Sequence, residues 1–270
     1  MAAAGMDAET RADEADLVET WLAAEPEWRL ARVFLAAARE PRFEAWAGFE
    51  HALRETVWRV RDARVAQAKL GWWLDEIGRA RAGAARHPLL RNLSALDALA
   101  VFDGGGAERI LRGAAHAVAL ESPADVESLL SAFVALEQPL AEARAALLEA
   151  SAPAMDSVRG LAAARVMVEA RHWGRFALPE RARLPLNLLA RVGAGRDAAL
   201  AEGAPLRAAL AQALLPRIEE ALQAPAPALD AAALLLGRAI GRQHAQPAGL
   251  WARWQLAHAL WRLGRAQFRP

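Results

Sequence analysis

Cysteine is absent from the 270 residues, which excludes disulfides, thiolate catalysis and Cys-ligated zinc or iron–sulfur centres. Charge of one sign is missing too: 33 basic and 32 acidic residues are interspersed for a net +1, so the chain carries no electrostatic footprint for nucleic acid. No apolar run approaches the ~20 residues of a transmembrane helix. Residues 1–16 are small and acidic, without the layout of a signal or transit peptide, and a cytoplasmic protein is expected. A contact peripheral to the membrane stays open. Lysine is scarcest of all: only Lys69 stands among 32 arginines.

Apolar residues make up 55% of the chain, ample for a sizeable core. They recur at three- and four-residue steps, and no stretch sustains the two-residue alternation of a strand. The expected class is all-α. Breaks at Pro26, Pro41, His87-Pro88, Gly104 to Gly106, Pro123, Pro153, Pro179, Gly193 to Gly195, Pro205, Pro225 to Pro227 and Pro247 leave room for about ten helices. Ser122-Pro123 reads as an N-cap followed by Pro at the first helical position, opening a helix through Glu149. Residues 1–12 are expected to be disordered and 13–268 to form one domain.

Catalytic constellations are sparse. None of the six His pairs with another at ligand spacing, Gly104-Gly105-Gly106 lacks the Lys-Ser/Thr of a phosphate-binding loop, and no Ser has a nucleophile-elbow setting. The densest segment is Lys69-Leu70-Gly71-Trp72-Trp73-Leu74-Asp75-Glu76. Trp72 and Trp73 point about 100° apart on a helix, so one should enter the core while the other lines a cavity or interface, unless both are core. The closing helix carries Trp251, Trp254 and Trp261 with Arg253, Arg262 and Arg265. That spacing reads first as a core stripe, with a membrane or partner surface as the other reading.

The Lys69 to Glu76 segment resembles the K-L-x-W-W-R-x-E helix of the squalene/phytoene synthase family, which joins two isoprenoid diphosphates head to head. Gly83 and His87-Pro88 resemble that family's following turn, Gly174-Arg175-Phe176-Ala177-Leu178-Pro179 its G-R-x-Y-L-P block, and Leu250 through Trp261 its closing helix. Together the blocks span roughly residues 28 to 265. The resemblance implies a single-domain isoprenoid-synthase-like bundle around a central cavity, and two D-x-x-x-D motifs that hold Mg²⁺ over a departing diphosphate. Here Val57, Arg61, Val166 and Ala170 fall at the four Asp positions, beside Arg165 and Glu169 at the family's Arg and Glu. None of the four can coordinate Mg²⁺.

The expectation is therefore a non-catalytic, transferase-like relative from isoprenoid biosynthesis, a pseudoenzyme without a cofactor that binds an isoprenoid or other lipid or assists assembly of a protein partner. Lys69, Trp72, Trp73, Asp75, Glu76, Arg165, Glu169 and Arg175 are its candidate ligand-binding residues. A Mg²⁺-dependent prenyl synthase with relocated carboxylates, and a helical interaction module, stand as alternatives. Glu50, Glu55 and Asp75 meeting around one cavity would favour the synthase, a cavity lined only by apolar residues the non-catalytic relative, and no cavity the interaction module.

Overall fold

The computed structural model describes residues 16–60, 62–171, 183–193, 204–245 and 250–266. Every regular element among them is helical. In chain order they are α1 (16–24), α2 (Glu27–Phe34), α3 (Pro41–Arg59), α4 (Ala63–Arg81), α5 (Pro88–Ala95), α6 (Gly106–Ala119), α7 (Val126–Leu147), α8 (Met155–Ala170), α9 (Leu186–Val192), α10 (Ala204–Ala221), α11 (Ala228–Ala245) and α12 (Leu250–Ala266). Short 3₁₀ turns at Ala36–Arg39 and Leu99–Phe102 complete the set. Twelve α-helices stand among the described residues, where the Pro and Gly breaks of the whole chain predicted about ten.

One boundary arises without either breaker. Val60 turns extended after α3, and the Asp62 side chain accepts the Arg64 N–H at 2.7 Å, capping α4. The long helix α7 is capped by Asp125, whose Oδ1 accepts from the Ser128 N–H at 2.8 Å, so the capping role predicted for Ser122 falls three residues later. Elsewhere among the described residues the breakers act as read, whereas Pro179, Gly195 and Pro247 lie outside them. Gly83 adopts φ +74° just past α4, a left-handed conformation that a Cβ disfavours, and Pro88 opens α5.

Three apolar clusters hold the bundle. The first gathers Trp46, Phe49 and Val57 of α3 with Leu70, Trp73 and Ile77 of α4 and with Phe102, Ile110 and Leu136. In the second, α7 and α8 meet α9 and α10. The third sets Trp21, Trp28 and Phe43 against α11 and α12. Helix α8 is enclosed by α7, α10 and α11, and the alanine and glycine content allows the approach. A Cβ on Gly160 would lie 2.2 Å from Ala221 Cβ, and one on Gly237 would lie 2.2 Å from Ala164 Cβ.

Candidate functional site

Helix α3 turns one stripe, Trp46, Glu50 and Arg54, toward the middle of the bundle at four-residue steps. The Trp46 indole donates to Glu50 Oε1 at 2.7 Å. Arg54 donates to both carboxylate oxygens of Glu137 on α7, at 3.0 and 2.8 Å, and to Glu50 Oε2 at 3.0 Å. Two turns along α7, Arg144 donates to Glu50 Oε1 at 2.6 Å and to Asp230 of α11 at 2.9 Å. Glu137, Arg54, Glu50, Arg144 and Asp230 thus form a chain of alternating charge across three helices, and all five are buried.

A second buried group adjoins it. Arg165 on α8 grips both oxygens of Glu25 at 2.8 and 2.7 Å and lies 3.3 Å from Glu169, one turn along its own helix. Glu25 sits at the corner between α1 and α2, where His51 Nδ1 approaches it at 3.9 Å. Two of the helices that face the centre, α3 and α8, thus carry a carboxylate and a guanidinium four residues apart: Glu50 with Arg54, and Arg165 with Glu169. The space left among these side chains, walled by Trp21, Trp28, Phe43, Leu161 and Ala164, is about 60 Å³. That is room for about two water molecules.

Glu25, Glu50 and Arg54 stay charged despite burial. Burial opposes ionisation of Glu25, but Arg165, Arg54 and His51 outweigh it and hold the carboxyl down at about 2. Glu50 is lowered against burial by Arg144 and Arg54, while Glu137 and Glu50 raise Arg54 and hold it cationic. Glu169 differs. Its burial outweighs Arg165 and Arg59 and raises the carboxyl.

Burial lowers two imidazoles to about 4: His51, although Glu25 pulls it upward, and His244, although it bonds the Met167 carbonyl. In the unfolded chain such groups protonate near ~6.5, so between pH 6.5 and 4 the unfolded state holds more protons than the folded one. The stability they contribute is complete above pH 6.5 and is lost as pH falls through about 4. Glu169, raised in the fold, acts with the opposite sign. Urea unfolding midpoints should therefore decline across that window, and His51→Gln with His244→Gln should flatten the decline. An unchanged slope in the double variant would reject this assignment.

The Trp helix builds a different place. Trp73 is 4% exposed and packs edge-on against Phe49 at 5.3 Å, whereas Trp72 is 42% exposed. Glu76 is fully buried: Oε1 accepts the Arg86 and His87 N–H groups at 2.5 and 2.7 Å, and Oε2 accepts from Arg79 at 2.7 Å. Burial works against its charge, yet those donors hold its carboxyl below the usual range. It thereby ties α4 to the turn ahead of α5, which sets His87 against the Trp73 ring at 4.9 Å. Between α1, α3, α4 and α5 lies an open groove of about 690 Å³, lined by Lys69, Trp72, Trp73 and His87 together with Leu17, Thr20, His51, Ala52, Glu55, Arg59, Val60 and Leu89. Lys69 is exposed and has no ion-pair partner among the described residues. Asp75 is exposed and lines neither space.

The sequence-predicted residues thus separate into two places. Lys69, Trp72 and Trp73 share the groove, with Glu76 behind it; Arg165 lines the interior, paired with the buried Glu169 beside it. Arg61 and Arg175 lie outside the described residues. Val57, Val166 and Ala170 are fully buried in apolar clusters and do not line the interior space, and α3 ends at Arg59, short of position 61. Glu50 and Glu55 occupy different cavities, so the meeting of Glu50, Glu55 and Asp75 does not occur. A Mg²⁺ site does not fit these residues, since the interior carboxylates are engaged by arginine or tryptophan, and no group of three or more His, Asp or Glu among the described residues is arranged to hold a metal.

Sequence reading missed Glu25, Glu137, Arg144, Asp230 and Arg183. For two of them a signal existed: Glu137 and Arg144 share one face of α7 with Phe133 and Leu140, and charges on an apolar stripe must find partners. Arg183, buried and with φ +45°, donates to the carbonyls of Val57 at 3.2 Å and Leu120 at 3.1 Å, and lies 4.4 Å from the Trp58 ring centre. It closes the carbonyl ends of α3 and α6, where a cation is favoured.

No protein-family model matches the chain, and no curated protein matches it by sequence. Its backbone does have a counterpart, the crystal structure of squalene synthase HpnC from Alicyclobacillus acidocaldarius, at TM-score 0.56 and 15% identity over 97% of both chains. With every regular element among the described residues helical and a match over 97% of both chains, the chain has an all-α, isoprenoid-synthase-like fold similar to that of this squalene synthase.

Proposed function

We propose that this chain is a non-catalytic protein on the squalene synthase fold, which binds an isoprenoid or a related lipid at the groove beside α4 rather than in its interior. One observation carries the reading: the interior holds a relay of ion pairs with about 60 Å³ to spare. Small-molecule sites span roughly 300–1,000 Å³, so two prenyl chains have no place there. Opening it would strand buried charges, which is strongly unfavourable. The groove has the needed size, a largely apolar wall that includes Trp72 and Trp73, and Lys69 at its edge as a partner for an anionic head group. Asp75, Arg165, Glu169 and Arg175 fall away from ligand contact in this reading, and Glu76 acts as a positioning residue for the groove wall.

The test is incubation of the protein with farnesyl or geranylgeranyl diphosphate and Mg²⁺, following diphosphate release, C30 or C40 product and tryptophan fluorescence together. The expected result is a saturable fluorescence change, weakened about tenfold in Lys69→Ala, without release of diphosphate. Product that depends on Mg²⁺ would overturn the non-catalytic reading, and a flat fluorescence titration would overturn the groove.

A further inference from the structure

The three Trp of the closing helix were expected first as a core stripe, and the structure reverses that for the two whose side chains are described. Helix α12 buries Leu256, Leu260 and Gly264, the last so close to α2 that a Cβ would lie 2.3 Å from the Phe34 carbonyl oxygen. The opposite side carries Trp254, 59% exposed, and Trp261, 42% exposed. They belong to one continuous ladder. The Trp254 and His258 rings stack at 5.5 Å and 6°, His258 meets Trp261 at 5.7 Å, and the Arg265 guanidinium lies 5.0 Å from the Trp261 ring centre. The steps of four, three and four residues place all four side chains on one face.

Charge on this helix has a single sign. Residues 250–266 contain Arg253, Arg262 and Arg265 and no Asp or Glu, and Arg262 and Arg265 are exposed. Large exposed Trp side chains are unusual on a surface that meets only water, and Trp beside Arg suits the boundary where an apolar ring end meets head groups. No helix among the described residues is long and apolar enough to cross a bilayer, so contact through α12 would be lateral. We infer that the Trp254, His258, Trp261 and Arg265 face of α12 docks the protein on an anionic lipid surface, with its rings at head-group depth and Arg262 and Arg265 meeting lipid phosphates. The inference rests on α12 alone and is independent of what the groove binds.

Flotation of the full chain with phosphatidylcholine vesicles, with and without phosphatidylglycerol, tests it. The wild type should float with the anionic vesicles, and less so at high salt. Trp254→Ala with Trp261→Ala should lower partitioning about tenfold, and Arg262→Gln with Arg265→Gln should do so only where the anionic lipid is present. All four side chains are exposed, so unchanged melting temperatures will confirm that the variants remain folded. Absence of wild-type flotation, or flotation unchanged in both variants, would overturn the inference. So would a concentration-dependent dimer in sedimentation velocity that the Trp variant abolishes, because the face would then join two copies of the chain.

Discussion

Arg54→Ala is expected to destabilise the fold by about 3–5 kcal/mol, the range for removing one partner of a buried ion pair. The loss comes from what remains behind. Arg54 supplies donors to both oxygens of Glu137 and one to Glu50, and truncation leaves Glu137 facing a cavity without a counter-charge. Glu50 retains Trp46 and Arg144, so Glu137 should be the group that takes up a proton. Two consequences distinguish this account from plain loss of packing. Arg54→Ala should recover stability as pH falls through the carboxylate range, and Arg54→Ala with Glu137→Gln should be less destabilised than Arg54→Ala alone. Urea unfolding at neutral pH and at pH 5 measures both; a single-variant loss below ~1 kcal/mol would show that the ion-pair chain does not hold the interior closed.

That chain explains why the interior was illegible in the sequence while the fold class was not. Helical periodicity and the Pro and Gly breaks are local, and they carry the all-α class and most boundaries. The break at Val60 was missed because its signal is a lone Asp62 cap, and without it positions 57 and 61 looked like one continuous helical motif. Partners in the interior are 83, 86, 94 and 140 residues apart, a separation at which no spacing rule applies. Arg165 and Glu169, which also suit an exposed i,i+4 pair, are instead enclosed by Glu25 arriving from the α1–α2 corner. The resemblance supplied the isoprenoid-synthase-like bundle, which the backbone match bears out. It could not supply what stands in the interior, because the partners there lie far apart in the sequence.

Trp73→Ala should cost about 3–5 kcal/mol of stability, and Trp72→Ala less than ~1 kcal/mol, although the residues are adjacent and chemically identical. Trp73 is 4% exposed, crosses Phe49 edge-on and has His87 at 4.9 Å, so its truncation opens a void among aromatic side chains that cannot collapse onto alanine. Trp72 gives 42% of its surface to solvent and touches Trp73 and His87 only from outside. Urea unfolding of the two variants measures the difference, and equal losses would refute the packing described here. The same pair separates fold from function. Both rings line the groove, so Trp72→Ala should weaken a ligand held there while leaving the melting temperature nearly unchanged, whereas Trp73→Ala weakens both together. A Trp72→Ala protein that is as stable as the parent and binds equally well would leave Lys69 without an aromatic neighbour in that role, and would remove the physical basis for placing the ligand beside α4.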